Sequence, residues 1–552
     1  MEQSFIVNIE NSIKNNWDLN ALTDYNGATL QYKDVARKIE KIHIIFEESG
    51  IKKGDKIAIC GRNSSHWGVT FLATITYGAV IVPILHEFKA DNVHNIVNHS
   101  EAKLLFVGDM VWENLNEAAM PLLEGIMAVQ DFSVLVSRSQ KLTHAREHLN
   151  ELFGKKYPKN FRAEHIGYHK DDPEELALIN YTSGTTSYSK GVMLPYRSLL
   201  SNMQFAFEAL YLKPGDKIVS MLPMAHMYGL SFEFLYEFIV GCQIFLLTRM
   251  PSPKVIFQAF AEVKPNLVVA VPLIIEKIIK KNVLPKLQTP TMKILLKVPI
   301  INDKIKTAVR EQVINAFGGN FAAVIVGGAA FNQEVEQFLK MIDFPYTVGY
   351  GMTECGPIIC YEDWKRFQPG SCGKAVLNME VKILSPDPQN VVGEIVCKGS
   401  NTMLGYYKNE EATATVLDKD GWLHTGDLAV MDEEGNVTIK GRSKNLLLGA
   451  SGQNIYPEEI EDKLNNMPYV SESIVVQQND KLVGLVYPDF DDAFANGFKP
   501  EDMEQVMEEN RVQLNSTLPA YSQISKIKVY PEEFEKTPKK SIKRFLYQEA
   551  KG

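Results

Sequence analysis

The sequence predicts an α/β protein in which helices cover mainly parallel sheets, followed by a small β-rich subdomain and a small, mobile α+β C-terminal domain. Three observations carry this. Short apolar runs recur among helix-like segments: Lys56-Ile-Ala-Ile-Cys60, Ala79 to Ile84, Lys103 to Val107, Leu267 to Val271 and Ala322 to Val326. Alternation of that kind favours parallel strands buried on both faces. After Gly370 the strands shorten and alternate, as in Glu380-Val-Lys-Ile383 and Gly393-Glu-Ile-Val-Cys-Lys398. From Lys444 the pattern changes again, and domains are expected over 1–442 and 443–552.

The elements follow in order. Trp67 to Leu85 contains no charged residue and is long enough to raise the question of a membrane span. Gly78 and Pro83 divide it into a helical piece and a strand-like piece, which fit the interior of an α/β core. Turns are marked at Lys213-Pro-Gly-Asp216, Lys264-Pro-Asn266 and Pro369-Gly370. In the last section a helix is expected over Pro457 to Leu464, with proline in its first turn and acids at its N-terminal end. Strands at Val470 to Gln477 and Leu482 to Tyr487 follow, then a helix from about Pro500 to Leu514.

Bulk properties narrow the class. At 552 residues the chain exceeds one core, and its length suggests roughly two to four domains. A net charge of −9 argues against a general nucleic-acid binder. Six cysteines without a CxxC pair fit free thiols in a reducing compartment better than disulfides or a zinc site. The N-terminal residues show no basic stretch followed by an apolar core, so a cytoplasmic location is expected.

The stretch YTSGTTSYSKG, Tyr181 to Gly191, carries most of the chemistry. A small, hydroxyl-rich loop after a strand exposes backbone N–H groups and short O–H donors that wrap phosphate oxygens. It is not the common P-loop, which would need Gly at 189 and Ser or Thr at 191, where Ser189 and Gly191 stand. On composition alone it also reads as a solvated turn. Downstream lie Tyr350-Gly-Met-Thr-Glu354, His424-Thr-Gly-Asp427, Lys440-Gly-Arg-Ser-Lys444 and Gly452-Gln-Asn-Ile-Tyr-Pro-Glu-Glu-Ile-Glu461.

In this order and at these separations the set resembles the adenylate-forming superfamily of acyl-CoA synthetases, peptide-synthetase adenylation domains and luciferases. The likeness runs from about Ala21 to Arg544. The combination LPMAHMYG, VGGAA, YGMTEC and PGSCGKAV is most similar to long-chain fatty acyl-CoA synthetases.

The resemblance implies an AMP-forming ligase. A fatty acid would attack ATP to give acyl-AMP and pyrophosphate, and coenzyme A would then take the acyl group as a thioester. Two anions must meet in the first step, so the site should supply Mg²⁺ and hydrogen-bond donors rather than a general base. By resemblance, Thr182, Ser183, Gly184, Thr185, Thr186 and Lys190 hold the β- and γ-phosphates. Glu354 ligates Mg²⁺ with help from the Thr182 hydroxyl, and Thr353 contacts the α-phosphate. Gly328 and Ala329 belong to the turn that packs on the adenine ring, and Tyr350 and Gly351 are further nucleotide-binding residues. Asp427 takes the ribose hydroxyls, Arg442 aids the sugar or the α-phosphate, and His226 lies beside the bound carboxylate.

Lys444 stands at the hinge about which relatives swing the C-terminal domain between half-reactions; many relatives have Asp there. Gly449 to Gln453 would line the pantetheine entry. Two departures stand out. Ser187 and Ser189 replace the usual Gly and Pro. In Glu535-Lys-Thr-Pro-Lys-Lys-Ser-Ile-Lys-Arg544, an ungapped alignment puts Ser541 at the family's adenylation lysine. Lys540, one residue earlier, is the candidate, with Lys539 and Lys543 close by. Alternatives are an acyl-AMP ligase that loads a carrier protein, a ligase for an aromatic or other non-fatty acid, and a catalytically silent nucleotide or acyl-lipid binder. No membrane anchor is visible, and peripheral membrane contact stays open.

Overall fold

The computed structural model describes residues 1–182, 189–249, 252–279, 299–449, 453–479, 481–537 and 541–548. Ser183, Gly184, Thr185, Thr186, Ser187, Gly452, Lys539 and Lys540 lie outside them.

An eight-stranded sheet forms the frame. Its order is Gly405–Tyr406, Lys190–Pro195, Leu176–Thr182, Val80–Ile84, Lys56–Cys60, Leu104–Val107, Gly125–Ala128 and Val134–Ser137. The strands from Leu176–Thr182 to Gly125–Ala128 pair in parallel, and both flanks are antiparallel. The sheet is therefore mixed rather than uniformly parallel. Its central strands are buried along their length, which is why they read as apolar runs rather than as alternation.

The 67–85 stretch divides as expected into a helix, Ser65–Tyr77, and the strand Val80–Ile84. Ser64 caps the helix start, and Gly78 closes it at φ 86°. Among the described residues no helix is long and apolar enough to cross a membrane.

A second, three-stranded parallel sheet holds Val268–Ala270, Val324–Val326 and Tyr346–Val348. Its carboxyl ends deliver Gly327-Gly328 and Tyr350-Gly351 to one place. A four-stranded sheet contains Lys217–Ser220, Gln243–Leu246, Asn20–Asp24 and Thr29–Gln31. The β-rich subdomain is an antiparallel sheet of Met379–Leu384, Gly393–Gly399, Leu423–Met431 and Val437–Arg442.

The C-terminal part has its own core and its own sheet of Val470–Gln478, Lys481–Pro488 and Lys526–Val529. Helices Pro457–Leu464 and Met503–Asn515 pack on it. The first of these also meets the preceding strand, where Lys440 pairs with Glu459 at 3.0 Å. Asn332 Nδ2 donates to Asp462 Oδ1 at 3.1 Å and to Asn466 Oδ1 at 2.7 Å. These contacts are polar, the character expected where two units move against each other.

Candidate active site

Thr182 and Lys190, the described ends of the segment expected to hold phosphate, are cross-strand partners at the root of a hairpin. The segment that read as a phosphate wrap therefore joins two paired strands of the main sheet. Lys190 Nζ lies over the Tyr406 ring, 4.8 Å from its centre. Tyr406 in turn donates its O–H to Glu354 Oε1 at 2.9 Å. Glu354 sits on a short turn, Thr353–Cys355, and is 9% exposed.

Asp427 is the second fixed carboxylate. Its Oδ2 accepts from the Tyr350 hydroxyl at 2.6 Å, and its Oδ1 pairs with Arg442 Nε at 2.8 Å. Asp427 and Arg442 are themselves cross-strand partners. Burial raises the Asp427 carboxyl above its ordinary value, against the opposing pull of Arg442. Lys444 is shifted down by burial and by the nearby Arg442 and Lys190. Arg442 and Lys444 thus stand beside Asp427, with Lys190 near Lys444, an arrangement suited to a polyanion.

A cavity of about 60 Å³ joins the two sides. Gly327, Gly328, Tyr350, Gly351 and Thr353 line one part, and His226, Tyr228, Phe205, Phe232 and Tyr361 the other. Gly328 holds φ 87°, a backbone geometry that favours glycine, so the chain turns there beside the pocket. Ala329 follows it and is exposed, outside the cavity lining.

His226 caps a short helix, Met227–Leu230, and its Nδ1 accepts from Tyr228 N–H at 3.2 Å. In a neutral ring that bond leaves the proton on Nε2. The loop carrying His226 is held from three directions. Asn180 Nδ2 donates to Ala225 O at 2.9 Å, and Met224 N donates to Asn63 Oδ1 at 2.9 Å. Glu233 Oε2 accepts from Met221 N at 3.0 Å and from Leu222 N at 2.7 Å. Glu233 belongs to a π-helical turn, Ser231–Leu235, and burial raises its carboxyl well above the ordinary range.

Glu233 and Tyr406 carry no signal of a role in the sequence. Glu233 reads as one acid within an apolar segment, and Tyr406 lies on a two-residue strand. The hairpin Glu535 to Lys543 is closed by the bridge Lys536–Ile542, and Lys543 pairs with Glu535. Lys89, just beyond the strand Val80–Ile84, adds to the lowering of the Glu535 carboxyl.

The oxygen donors fit magnesium. Glu354 and the Thr182 hydroxyl are hard ligands, and Mg²⁺ is commonly held by one or two carboxylates together with substrate phosphate.

With this geometry in view, the chain's relatives are informative. The model of the AMP-binding enzyme family matches residues 9–407, and that of the AMP-binding enzyme C-terminal domain matches 444–550. The chain belongs to the AMP-binding enzyme family. A long-chain-fatty-acid–CoA ligase of Rattus norvegicus is 28% identical over 486 residues, covering 83% of this chain and 71% of that protein. A 4-coumarate–CoA ligase of Humulus lupulus is 28% identical over 541 residues, covering 94% and 89%. The crystal structure of ATP-bound MatB from Rhodopseudomonas palustris superimposes with a TM-score of 0.77 at 21% identity, over 99% of this chain and 98% of that one.

Proposed function

We propose that this protein is a cytoplasmic AMP-forming ligase that joins a long-chain fatty acid to coenzyme A. The supporting observation is the continuous chain of contacts from Thr182 and Lys190 through Tyr406 to Glu354, set beside Tyr350, Asp427 and Arg442.

In the first half-reaction a carboxylate oxygen bonds to the α-phosphorus, and the bond from that phosphorus to the β-bridging oxygen breaks. Pyrophosphate leaves with the electron pair. Lys190 and Thr182 serve the leaving group, and Arg442 and Lys444 offset charge near the α-phosphate. Magnesium, when bound at Glu354 and Thr182, supplies neutralisation of the phosphate oxygens. Asp427 fixes the ribose as an acceptor, and His226 Nε2–H faces the acid. Tyr350, Gly351, Gly328 and Ala329 border the adenine, with Thr353 toward the α-phosphate. Lys540 is the adenylation lysine, carried on residues 443–552, which move about Lys444 relative to 1–442. In the second half-reaction the coenzyme A sulfur bonds to the acyl carbon, AMP departs, and the thiol proton is released.

A compact aromatic acid is the second reading. It is favoured by the small cavity and by the aromatic side chains Phe205, Tyr228, Phe232 and Tyr361 on its His226 side. Pockets that enclose sizeable ligands run to several hundred Å³. A long chain therefore requires these rings to move. A panel of acids from C4 to C18 together with cinnamic and benzoic types, scored by pyrophosphate release with coenzyme A, decides between the two. The fatty-acid reading expects an optimum at C12 or longer; an optimum on aromatic acids overturns it.

A further inference from the structure

Residues 403–407 form a strap from the metal-ligand turn to the root of the phosphate hairpin. Met403 N donates to Glu354 O at 2.8 Å, Leu404 N to Met193 O at 2.9 Å, and Tyr407 N to Gly191 O at 2.7 Å. Gly405 and Tyr406 pair with Met193 and Val192. On its other side Tyr406 N donates to Thr413 Oγ1 at 2.9 Å. Gly405, at φ 138°, allows this close pass, because a Cβ there would lie 2.8 Å from Thr413 Cγ2. The Tyr406 backbone is thus fixed on both edges, and its side chain is 6% exposed.

That side chain meets two opposite charges with two different parts. Its hydroxyl donates to Glu354 Oε1 at 2.9 Å, and its ring face receives Lys190 Nζ at 4.8 Å. Among the described residues no ion pair joins Lys190 to Glu354 directly. A direct pair would consume the carboxylate oxygens and the ammonium protons that a metal and a phosphate need. The phenol occupies one carboxylate oxygen in a charge-assisted bond, and the ring attracts the ammonium through its quadrupole while leaving its protons free to donate.

We propose that Tyr406 is a positioning residue that holds Glu354 and Lys190 apart and aimed, one toward the metal and the other toward the leaving phosphates. This rests on the proposed role of Glu354 as the magnesium ligand.

The test uses the full-length protein and three variants: Tyr406→Phe, Tyr406→Leu and Glu354→Gln. The readouts are the Mg²⁺ half-saturation of pyrophosphate release, and ATP affinity by calorimetry with Mg²⁺ and with EDTA. Tyr406→Phe keeps the ring, and should raise the Mg²⁺ half-saturation about tenfold while leaving ATP affinity in EDTA unchanged. Tyr406→Leu should also weaken ATP binding in EDTA several-fold, because Lys190 loses its seat. The KM for the acid should stay within twofold in both. An unchanged Mg²⁺ half-saturation in Tyr406→Phe, beside a raised one in Glu354→Gln, overturns the role of Tyr406 alone. An unchanged value in Glu354→Gln overturns the metal-ligand reading and the proposal with it. Tyr406→Phe decides the matter even if Tyr406→Leu does not fold.

Discussion

At the scale of single residues the site depends on carboxylates held in place by fixed donors. Asp427 is held by a phenol and a guanidinium on two neighbouring oxygens. Removing it leaves both donors without their acceptor and, on its proposed role, ATP without a ribose contact. Asp427→Ala should raise the KM for ATP by about one to two orders of magnitude, at the scale of losing charge-assisted hydrogen bonds. The KM for the acid should stay near wild type, and steady-state kinetics reads both.

Glu237 behaves differently. It is fully buried, both carboxylate oxygens lack partners, and burial pushes it up from 4.5 to about 8. The native state binds that proton more tightly than the unfolded chain does. Its contribution to stability is full below about pH 4.5 and drains away as pH climbs toward 8 and beyond, by an amount on the order of a few kcal/mol. Glu237→Gln should flatten the fall in Tm between pH 5 and pH 8.5. A fall as steep as in the wild type would show that other groups produce it.

At the scale of elements the His226 loop is the clearest case. Two backbone N–H groups end on Glu233, whose burial favours the neutral acid. An amide is then a close substitute. Glu233→Gln should leave the KM for the acid within about twofold. Glu233→Ala strands the two buried N–H groups, at about 1–3 kcal/mol for each group left unsatisfied. It should lower Tm and raise the KM for the acid about tenfold, with ATP affinity by calorimetry near wild type.

The same scale explains what could be read beforehand. Lys56–Cys60 and Val80–Ile84 are buried strands whose apolar runs announce them to within a residue or two. The helix Pro457–Leu464 carries its own start signal in Pro457 and the acids that follow. Asp427, Arg442, Tyr350 and Glu354 stood in motifs, because their spacing is local. Tyr406 did not, because its importance comes from pairing Gly405–Tyr406 with a strand more than 200 residues earlier. Neither did the aromatic wall of the cavity. Phe205, Phe232 and Tyr361 come together only in three dimensions, with Phe205 meeting Phe232 at 6.0 Å and Tyr361 at 5.2 Å between ring centres.

At the scale of the whole molecule the question is how two units share one reaction. The helix Pro457–Leu464 meets the larger unit through polar contacts from Asn332 and Lys440. Such a seam can release and re-form at modest cost, as a lid that serves two half-reactions requires. Lys540→Ala should cut adenylate formation at least 100-fold, yet spare thioester formation from preformed acyl-adenylate. Lys539→Ala and Lys543→Ala should spare both steps. Equal loss in both half-reactions for Lys540→Ala would assign that lysine to folding instead.

The central claim is that one cavity splits ATP between its α- and β-phosphorus atoms under attack by a carboxylic acid. ³¹P NMR of ATP, Mg²⁺ and a fatty acid incubated with the protein tests this most directly. The account predicts AMP and pyrophosphate in equal amounts once coenzyme A is added, dependent on the acid and slowed about 10- to 100-fold in Asp427→Ala at subsaturating ATP. ADP and orthophosphate as products, or cleavage indifferent to the acid, would contradict it.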